Sequence, residues 1–259
     1  MSASFLSLHE RDQIETILRR NTAVNLYGIG DLDEFFWPRT VWYALEAEDP
    51  SVVALLYVGA DIPVLLLLED STESRELLVA VVDVLPARFY AHLHPRLVAT
   101  LERSYRFASN GLHHKMALVS PEAVHAVDTA QAEALDPADL VAARQLYRDS
   151  YPGNWFDPRM LETGQYVGIR RGGRLVSIAG IHVYSPNYAV AALGNITTLP
   201  TLRGQGLGSL VTAACCQTLL RTVEVVGLNV KADNKSAIRC YRRLGFAHVS
   251  DYVEGMATR

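Results

Sequence analysis

The sequence predicts a mixed α/β fold in which a smaller α/β domain precedes a second α/β domain, and three observations lead to this expectation. The chain has 259 residues, enough for two domains of about 100–150 residues each. Segments with helical and strand periodicity alternate along it, as in proteins whose helices cover the faces of a sheet. The small, polar and acidic stretch at residues 127–140 has the composition of a linker. We therefore expect one domain over residues 1–128 and another over residues 129–259.

The first half contains helices and strands that can form a core of their own. Residues 9–20 place Ile14, Ile17 and Leu18 on one helical face, with charged residues elsewhere. Two apolar runs follow, and their unbroken hydrophobicity is typical of strands buried on both faces. These runs are residues 52–59 and 61–70. The later segments predict a helix running into a strand, a second helix and a short closing strand, at residues 71–85, 95–107 and 116–120.

The second half has clearer signals at the ends of its elements. Asp136-Pro137 is a predicted helix N-cap followed by proline at the first helical position, and Asp157-Pro158 starts a short second helix in the same way. Gly172-Gly173 separates two strand-like runs and predicts a hairpin. The remaining elements alternate between strand and helix, at residues 192–199, 209–222, 223–231, 234–246 and 247–257. This order predicts a mixed sheet with helices on both faces.

Charge is unevenly distributed between the two halves of the chain. The formal net charge is −4, but residues 1–129 carry 10 Lys/Arg against 18 Asp/Glu, whereas residues 130–259 carry 14 against 10. The basic second half indicates an anionic ligand there or, alternatively, only surface variation. The acidic first half argues against a protein that wraps nucleic acid.

Cysteine use and hydropathy favour a reducing, cytoplasmic location. The three cysteines cannot form a disulfide framework and their spacing fits no zinc pattern, so we expect buried, reduced thiols. The longest apolar stretch, Val52–Leu68, carries an aspartate and a proline at its centre and is a poor membrane span, so no membrane partner is expected. No basic segment followed by an apolar one stands at the start, so no signal peptide is expected.

The strongest candidate site lies between Ile196 and Gly208, where a predicted strand leads through a glycine-rich turn into a helix. Glycine allows close approach of the backbone to a ligand, and the first turn of a helix presents unpaired N–H groups with about half a positive charge. Together these features predict a seat for a pyrophosphate group. The turn is not a P-loop, because no Gly-Lys-Ser/Thr follows. It is not a dinucleotide fingerprint either, because Ser209 stands where the third glycine is required.

The segment Pro200–Gly208, with Arg203-Gly204-Gln205-Gly206-Leu207-Gly208, resembles the acyl-coenzyme-A-binding loop of GNAT N-acetyltransferases. A later block, Asn234 with Ala237, Tyr241 and Leu244–Phe246, is similar to the next block of that family at the family's spacing. The resemblance covers residues 130–259, and its details look closest to the glycine N-acyltransferase-like branch. The first half is similar to a degenerate GNAT domain without a glycine-rich loop, which favours a role as a lid, an acceptor wall or an interface.

The resemblance implies roles for particular residues. The strand Asn195–Leu199 would diverge from its neighbour, and its backbone at Ile196, Thr197 and Thr198 would pair with the pantetheine arm. The N–H group near Thr198 would polarise the thioester carbonyl. Pyrophosphate would be held by the backbone N–H groups of the loop, at Arg203, Gly204, Gln205, Gly206, Leu207 and Gly208. Asn234 would contact the coenzyme arm.

Tyr241 would lie beside the sulfur of the coenzyme and act as the general acid. A phenol with a pKa near 10 stays protonated at neutral pH and can donate to a departing thiolate. The alternative is a tyrosine that only packs on an amphipathic helix. The general base is less clear from sequence: His182 titrates in the useful range, but a lone strand histidine is more often structural. Asn195 can bind the acceptor or order a water, but it cannot serve as the base.

The acceptor pocket is the remaining expectation from the resemblance. Residues that fall where the family's first two helices cover this pocket either enclose a substrate or pack the helix pair; they are Tyr147, Tyr151, Asn154, Trp155 and Phe156. No metal is expected, because the pairs His92/His94 and His113/His114 have no accompanying carboxylate or cysteine pattern.

Taken together, these features and the resemblance predict an N-acyltransferase that uses acetyl-coenzyme A as its co-substrate. It would acetylate a primary amine of a small molecule or peptide by direct attack in a ternary complex, without metal or nucleic acid. The alternative is a non-catalytic module that binds acyl-coenzyme A as a sensor or regulator. A covalent route through Cys215 or Cys216 is disfavoured, because both residues lie in a predicted helix far from the expected thioester.

Overall fold

The structure is a computed structural model that describes residues 4–259, and the chain divides into two compact units. The first unit comprises the described residues up to Lys115 together with Val230–Asp233 and Val249–Arg259. The second unit comprises Met116–Asn229 and Asn234–His248. The domain limits 1–128 and 129–259 stay a prediction, because two short segments after residue 129, Val230–Asp233 and Val249–Arg259, belong to the first compact unit.

Twelve strands and eight α-helices occur over residues 4–259. The strands are β1 Phe5–Leu8, β2 Thr40–Leu45, β3 Val53–Tyr57, β4 Val64–Leu67, β5 Arg88–Leu93, β6 Arg106–Leu118, β7 Glu133–Leu135, β8 Tyr166–Arg171, β9 Arg174–Ser185, β10 Val190–Thr198, β11 Val225–Lys231 and β12 Phe246–Thr258. The helices are α1 Arg11–Leu18, α2 Thr22–Gly30, α3 Thr72–Val81, α4 Val98–Leu101, α5 Pro121–His125, α6 Leu140–Ser150, α7 Leu207–Leu219 and α8 Lys235–Arg243. No helix within this part of the chain has the length and apolarity needed to cross a bilayer.

The second unit contains a sheet whose central strands are buried on both faces. Its strands lie in the order β11-β10-β9-β8-β7, and all neighbours are antiparallel except the parallel pair β10 and β11. The helix α7 connects the members of that parallel pair, as a parallel crossover requires. Most residues of β9 and β10 are buried, which explains their nearly continuous apolar sequence.

The ends of elements in the second unit confirm the local signals in the sequence. Asp136 caps a short 3-10 turn by accepting from the N–H of Ala138 at 2.7 Å, and Asp139 completes a capping box before α6. Gly172 and Gly173 form the turn between β8 and β9 with positive φ, at 55° and 77°. The predicted linker is not structureless, because it contains the strand β7, which pairs with β8.

The first unit has a second parallel pair, β4 and β5, which α3 connects. Its strand order is β1-β2-β3-β4-β5-β12, and the remaining neighbours are antiparallel. The link from β4 to α3 contains Glu69 and Asp70 and no glycine. Ser71 caps α3 with its own side chain, which accepts from the N–H of Ser74 at 2.9 Å. The connection therefore has the geometry of a crossover but no open, glycine-lined turn.

Candidate functional site

The parallel strands β10 and β11 pair over only part of their lengths. Their register runs from Val190↔Val225 to Leu193↔Leu228 and then ends. On its other edge β10 remains paired with β9 as far as Thr198↔Ser177, with a register shift between Gly194 and Thr197. Backbone groups of β10 beyond Leu193 therefore have no partner on β11, although the backbone oxygens of Asn195 and Thr198 accept from the side chains of Tyr147 and Arg203. The expected divergence of the strand at residues 195–199 is present in the structure.

Asn195 is the centre of this irregularity. Its φ is +54°, a left-handed conformation that asparagine tolerates better than most residues. Its backbone oxygen accepts from the hydroxyl of Tyr147 at 2.9 Å, and its Nδ2 donates to the hydroxyl of Tyr166 at 3.1 Å. Its Oδ1 is buried and has no hydrogen-bond partner among the residues described. A buried, unpaired amide oxygen is costly, so this atom is a candidate acceptor for a substrate N–H or a water.

The threonines that follow Asn195 are held by hydroxyl contacts. Thr197 Oγ1 donates to Ser150 Oγ at 3.1 Å, which ties the strand to the end of α6. Thr198 Oγ1 lies 2.8 Å from Ser177 Oγ. Both threonines are buried, with 8% and 9% of their surfaces exposed. The two side chains are therefore held in place by neighbouring hydroxyl groups.

The glycine-rich turn has the conformation that the sequence predicts. Gly204 and Gly206 have φ of 80° and 82°, and Gly206 is the N-cap of α7. A Cβ at either position would meet nothing within 4 Å, so the space over the turn is open. The first backbone bond into the helix is from the N–H of Leu210 to the oxygen of Gly206 at 3.0 Å. The N–H groups that precede Leu210 in this turn point to an open, electropositive helix end suited to an anion.

Arg203 makes contacts that differ from those expected of a phosphate ligand. Its guanidinium donates to the backbone oxygens of Thr198 and Ser150, each at 3.3 Å. Its own N–H donates to the oxygen of Pro200 at 3.4 Å. Arg203 thus connects the loop, the irregular strand and the end of α6, which positions the turn.

Tyr241 lies on α8 beside the start of α7. Ser209 Oγ and Cys240 Sγ are 3.0 Å apart and join the two helices next to this tyrosine. The ring is 9% exposed, and its hydroxyl makes no hydrogen bond to any residue in the described chain. Burial raises the pKa of Tyr241 above its usual value, so the phenol keeps its proton at neutral pH. An uncommitted O–H in this position is a possible proton donor.

Asn234 also has a local structural task. Its side-chain oxygen accepts from the N–H of Ala237 at 3.1 Å and caps α8, and it accepts from Ser236 Oγ at the same distance. The amide nitrogen of this exposed residue has no partner among the residues described. A contact to a coenzyme arm would therefore have to use that nitrogen.

His182 packs against the strand one residue before the irregularity. A Cβ added to Gly194 would lie 2.1 Å from its ring, so the imidazole occupies the space that a side chain there would need. Burial lowers the pKa of His182 to about 4. The ring is therefore neutral at pH 7 but is a weak proton acceptor, and its role as a base stays a prediction.

The loop after α6 brings several of the predicted acceptor residues together. Tyr147 and Phe156 have ring centroids 4.9 Å apart, and both line a pocket of about 250 Å³ with Asn154 and Pro152. Tyr151 and Trp155 are 43% and 61% exposed and do not line this pocket. Two further lining residues, the arginines at 144 and 148 of α6, were missed by the sequence analysis, although their spacing places them on one helical face.

The histidine pairs have carboxylate partners that their sequence neighbourhood does not reveal. His92 Nε2 lies 3.6 Å from Glu254 Oε2, and His113 Nε2 lies 3.5 Å from Glu254 Oε1. Tyr90 donates to the same carboxylate at 3.0 Å. The expectation that no carboxylate accompanies these histidines was wrong, because the partner comes from the last strand of the chain.

Comparison with known proteins finds similarity to acetyltransferases over part of the chain. The family model described as the acetyltransferase (GNAT) family matches residues 133–246. A mycothiol acetyltransferase of Mycobacteroides abscessus is 32% identical over 103 residues, which are 38% of this chain and 33% of that protein. The match thus spans about a third of the length of that relative.

Solved structures show the same fold over nearly the whole chain. A Drosophila protein covers 99% of this chain and 99% of its own, with a TM-score of 0.71 and 14% identity. A tandem GNAT protein from the clavulanic acid biosynthesis pathway covers 98% of this chain and 97% of its own, with a TM-score of 0.56 and 16% identity. These similarities concern the fold, including the α/β region that precedes residue 133.

Proposed function

The chain carries a domain of the GNAT acetyltransferase family at residues 133–246, and from that premise we propose that it is an N-acetyltransferase. The donor would be acetyl-coenzyme A and the acceptor a primary amine of a small molecule or peptide, joined in a ternary complex. The name of the matched relative supports acetyl transfer but leaves the acceptor open, since only a third of that protein is matched. The three cysteines are free thiols, which agrees with the reducing, cytoplasmic setting that we propose.

One observation carries the proposal: the opening between β10 and β11 lies directly before an open, glycine-lined helix start. The pairing of the two strands ends at Leu193↔Leu228, and β10 continues to Thr198. An extended amide-bearing arm can add to such an edge in the manner of a strand, and its phosphates would then reach the N–H groups at Gly204–Gly208. The residues present therefore fit a coenzyme A molecule, whose thioester supplies the activated acetyl group.

The reaction requires stabilisation of one developing charge and delivery of one proton. The amine nitrogen forms a bond to the thioester carbonyl carbon while the C–S bond breaks. We assign the N–H group near Thr198 to the carbonyl oxygen, where charge accumulates. We assign the Tyr241 hydroxyl to the departing sulfur, to which it donates its proton. The proton lost by the amine restores the tyrosine through solvent, so the phenol is unchanged after each turnover.

We assign removal of the acceptor proton to a water molecule held near Asn195. The Oδ1 of Asn195 is buried without a partner and can accept from a water or from the acceptor nitrogen, although it cannot take the proton itself. His182 is the alternative base, and its pKa of about 4 makes it a weak one. An acceptor whose amine is substantially deprotonated at neutral pH would need no protein base.

The second candidate is a non-catalytic module that binds acyl-coenzyme A as a sensor. Its supporting observation is that His182, the base candidate from sequence, has a pKa far below neutrality. Release of free thiol from acetyl-coenzyme A, measured over a panel of amines and amino acids, separates the two. Thiol release that requires an amine supports the enzyme. Tight coenzyme binding with no thiol release over the whole panel supports the sensor.

A further inference from the structure

The pocket beside Asn195 has a marked excess of positive charge at its mouth. Arg144 and Arg148 stand one helical turn apart on α6, and both are exposed and line the pocket. Arg144 makes no hydrogen bond or ion pair within the described chain. The guanidinium of Arg148 donates to Gln145 Oε1 at 2.6 Å and to no carboxylate there. Two cations thus face one cavity, and neither is hydrogen-bonded to a carboxylate of the described residues.

The acidic residues near α6 are already engaged elsewhere. Asp149 accepts from Arg174 at 2.8 Å and from Gln145 at 2.9 Å. Asp157 is paired with Arg159. Neither carboxylate lines the pocket; the pKa of Asp149 is lowered mainly by its hydrogen bond from Gln145 and only in smaller part by the charge of Arg148. The charge at the mouth is left for a ligand.

One lining residue of the pocket is hydrogen-bonded to the strand of the proposed acetyl-transfer site. Tyr147 lines the cavity with its ring, and its hydroxyl donates to the backbone oxygen of Asn195 at 2.9 Å. Phe156 packs against Tyr147, with ring centroids 4.9 Å apart, and lines the same pocket. A ligand in the pocket would therefore contact aromatic rings between the irregular strand at one end and the arginines at the other.

We propose that the acceptor is an amine with an anionic group at its far end, either a carboxylate or a phosphate monoester. The amine would lie towards Asn195, an apolar or aromatic spacer would pack against the rings of Tyr147 and Phe156, and the anion would bind Arg144 and Arg148. Guanidinium groups are suited to this task because they offer several planar donors to carboxylate or phosphate oxygens. This inference rests on the proposed function for its chemistry, while the anion site itself rests on the pocket.

The test compares three acceptors that share a benzylamine core. 4-(Aminomethyl)benzoate and 4-(aminomethyl)phenyl phosphate carry the two kinds of anion, and 4-methylbenzylamine is the neutral match. Thiol release from acetyl-coenzyme A should give a kcat/KM at least about tenfold higher for one of the anionic acceptors, a factor typical of one charged hydrogen bond. The difference between the anionic and the neutral acceptor should appear mainly in KM, and added salt should make this difference smaller. The ratio between the two anions identifies the preferred group.

Substitutions then test the assignment to the arginines. Arg148→Gln and Arg144→Gln should each lower kcat/KM for the anionic acceptor by a much larger factor than for 4-methylbenzylamine, and so remove most of the preference. Arg171→Gln removes the same charge from the exposed hairpin end of β8 and serves as the control. Equal kcat/KM for charged and neutral acceptors, or a preference that survives both pocket substitutions, overturns the inference.

Calorimetry separates failure of this inference from failure of the proposed function. If no acceptor releases thiol, direct titration with the two anionic probes still reports on the pocket. In that case, binding of an anionic probe to the unsubstituted protein and its loss in the Arg144→Gln, Arg148→Gln double variant would support the anion site and contradict the proposed acetyltransferase activity. Absence of binding for both anions, with or without turnover of the neutral amine, rejects the anion site.

Discussion

Replacing Tyr241 with phenylalanine isolates the proposed general acid. The change removes one hydroxyl that has no hydrogen-bond partner among the described residues, so no protein bond is lost and no buried group is left unpaired. The free energy of unfolding should change by less than about 0.5 kcal/mol. If the phenol protonates the departing sulfur, its loss should lower turnover by about 10²-fold or more, equivalent to about 2.7 kcal/mol of transition-state stabilisation.

Tyr147→Phe is the matched control, because the hydroxyl that it removes is committed to structure. That hydroxyl donates to the backbone oxygen of Asn195, so its loss should cost about 1 kcal/mol of stability. The two variants should therefore show opposite patterns. In Tyr241→Phe turnover should fall while the free energy of unfolding stays the same. In Tyr147→Phe the main effect should be a lower free energy of unfolding.

The assay is single-turnover thiol release at saturating coenzyme, with coenzyme affinity measured by calorimetry. Affinity should be nearly unchanged in Tyr241→Phe. Because burial raises the pKa of Tyr241, the acid form persists as pH rises, and no loss of rate attributable to this group should occur up to about pH 10. A single-turnover rate equal to that of the unsubstituted protein would refute the acid role and leave Tyr241 as a packing residue.

Four further predictions concern the loop, the histidine and the number of coenzymes. Asp and Asn both tolerate the positive φ of Gly206, so Gly206→Asp should weaken coenzyme binding at least about tenfold more than Gly206→Asn, by calorimetry; equal affinities would contradict an anion seat. His182→Phe should leave the rate at pH 7 within about threefold, and a loss of 10² or more would restore the histidine as base. His182 has a pKa of about 4 in the folded protein and about 6.5 in the unfolded chain, so folding favours its neutral form and this contribution to stability is lost as the pH falls from 6.5 through 4. The free energy of unfolding, measured in urea, should therefore depend less steeply on pH over this range in His182→Phe than in the unsubstituted protein. The full chain should bind one coenzyme, since the β4–α3 link has acidic residues and a self-capped helix; a stoichiometry of two would contradict this.

The parts of the site that the sequence predicts are those determined by neighbouring residues. Gly204 and Gly206 adopt positive φ and precede a helix, and both properties are local consequences of glycine followed by a helix-forming run. The cap at Asp136 is similarly local. Tyr241 was found through a family pattern, and its role as general acid stays a prediction.

The parts that the sequence could not predict depend on register and on distant partners. The irregularity at Asn195 arises from a shift between β9 and β10, which no short window specifies. Helix α2 was missed because Thr22–Gly30 is buried over most of its length and contains two glycines, so it has no polar face to reveal a helical period. The Glu254 carboxylate meets His92 only because β12 pairs with β5.

That pairing between β5 and β12 has a consequence for the order in which the chain acquires its structure. Leu93 lies opposite Val253, so about 160 residues separate two neighbours in the sheet of the first unit. During synthesis the first unit emerges first but lacks this strand until residues 253–258 have left the ribosome. Domains usually fold as they emerge, from the N-terminus onwards. Here β5 is made about 160 residues before the strand that pairs with it, and its edge is exposed to mispairing in the meantime.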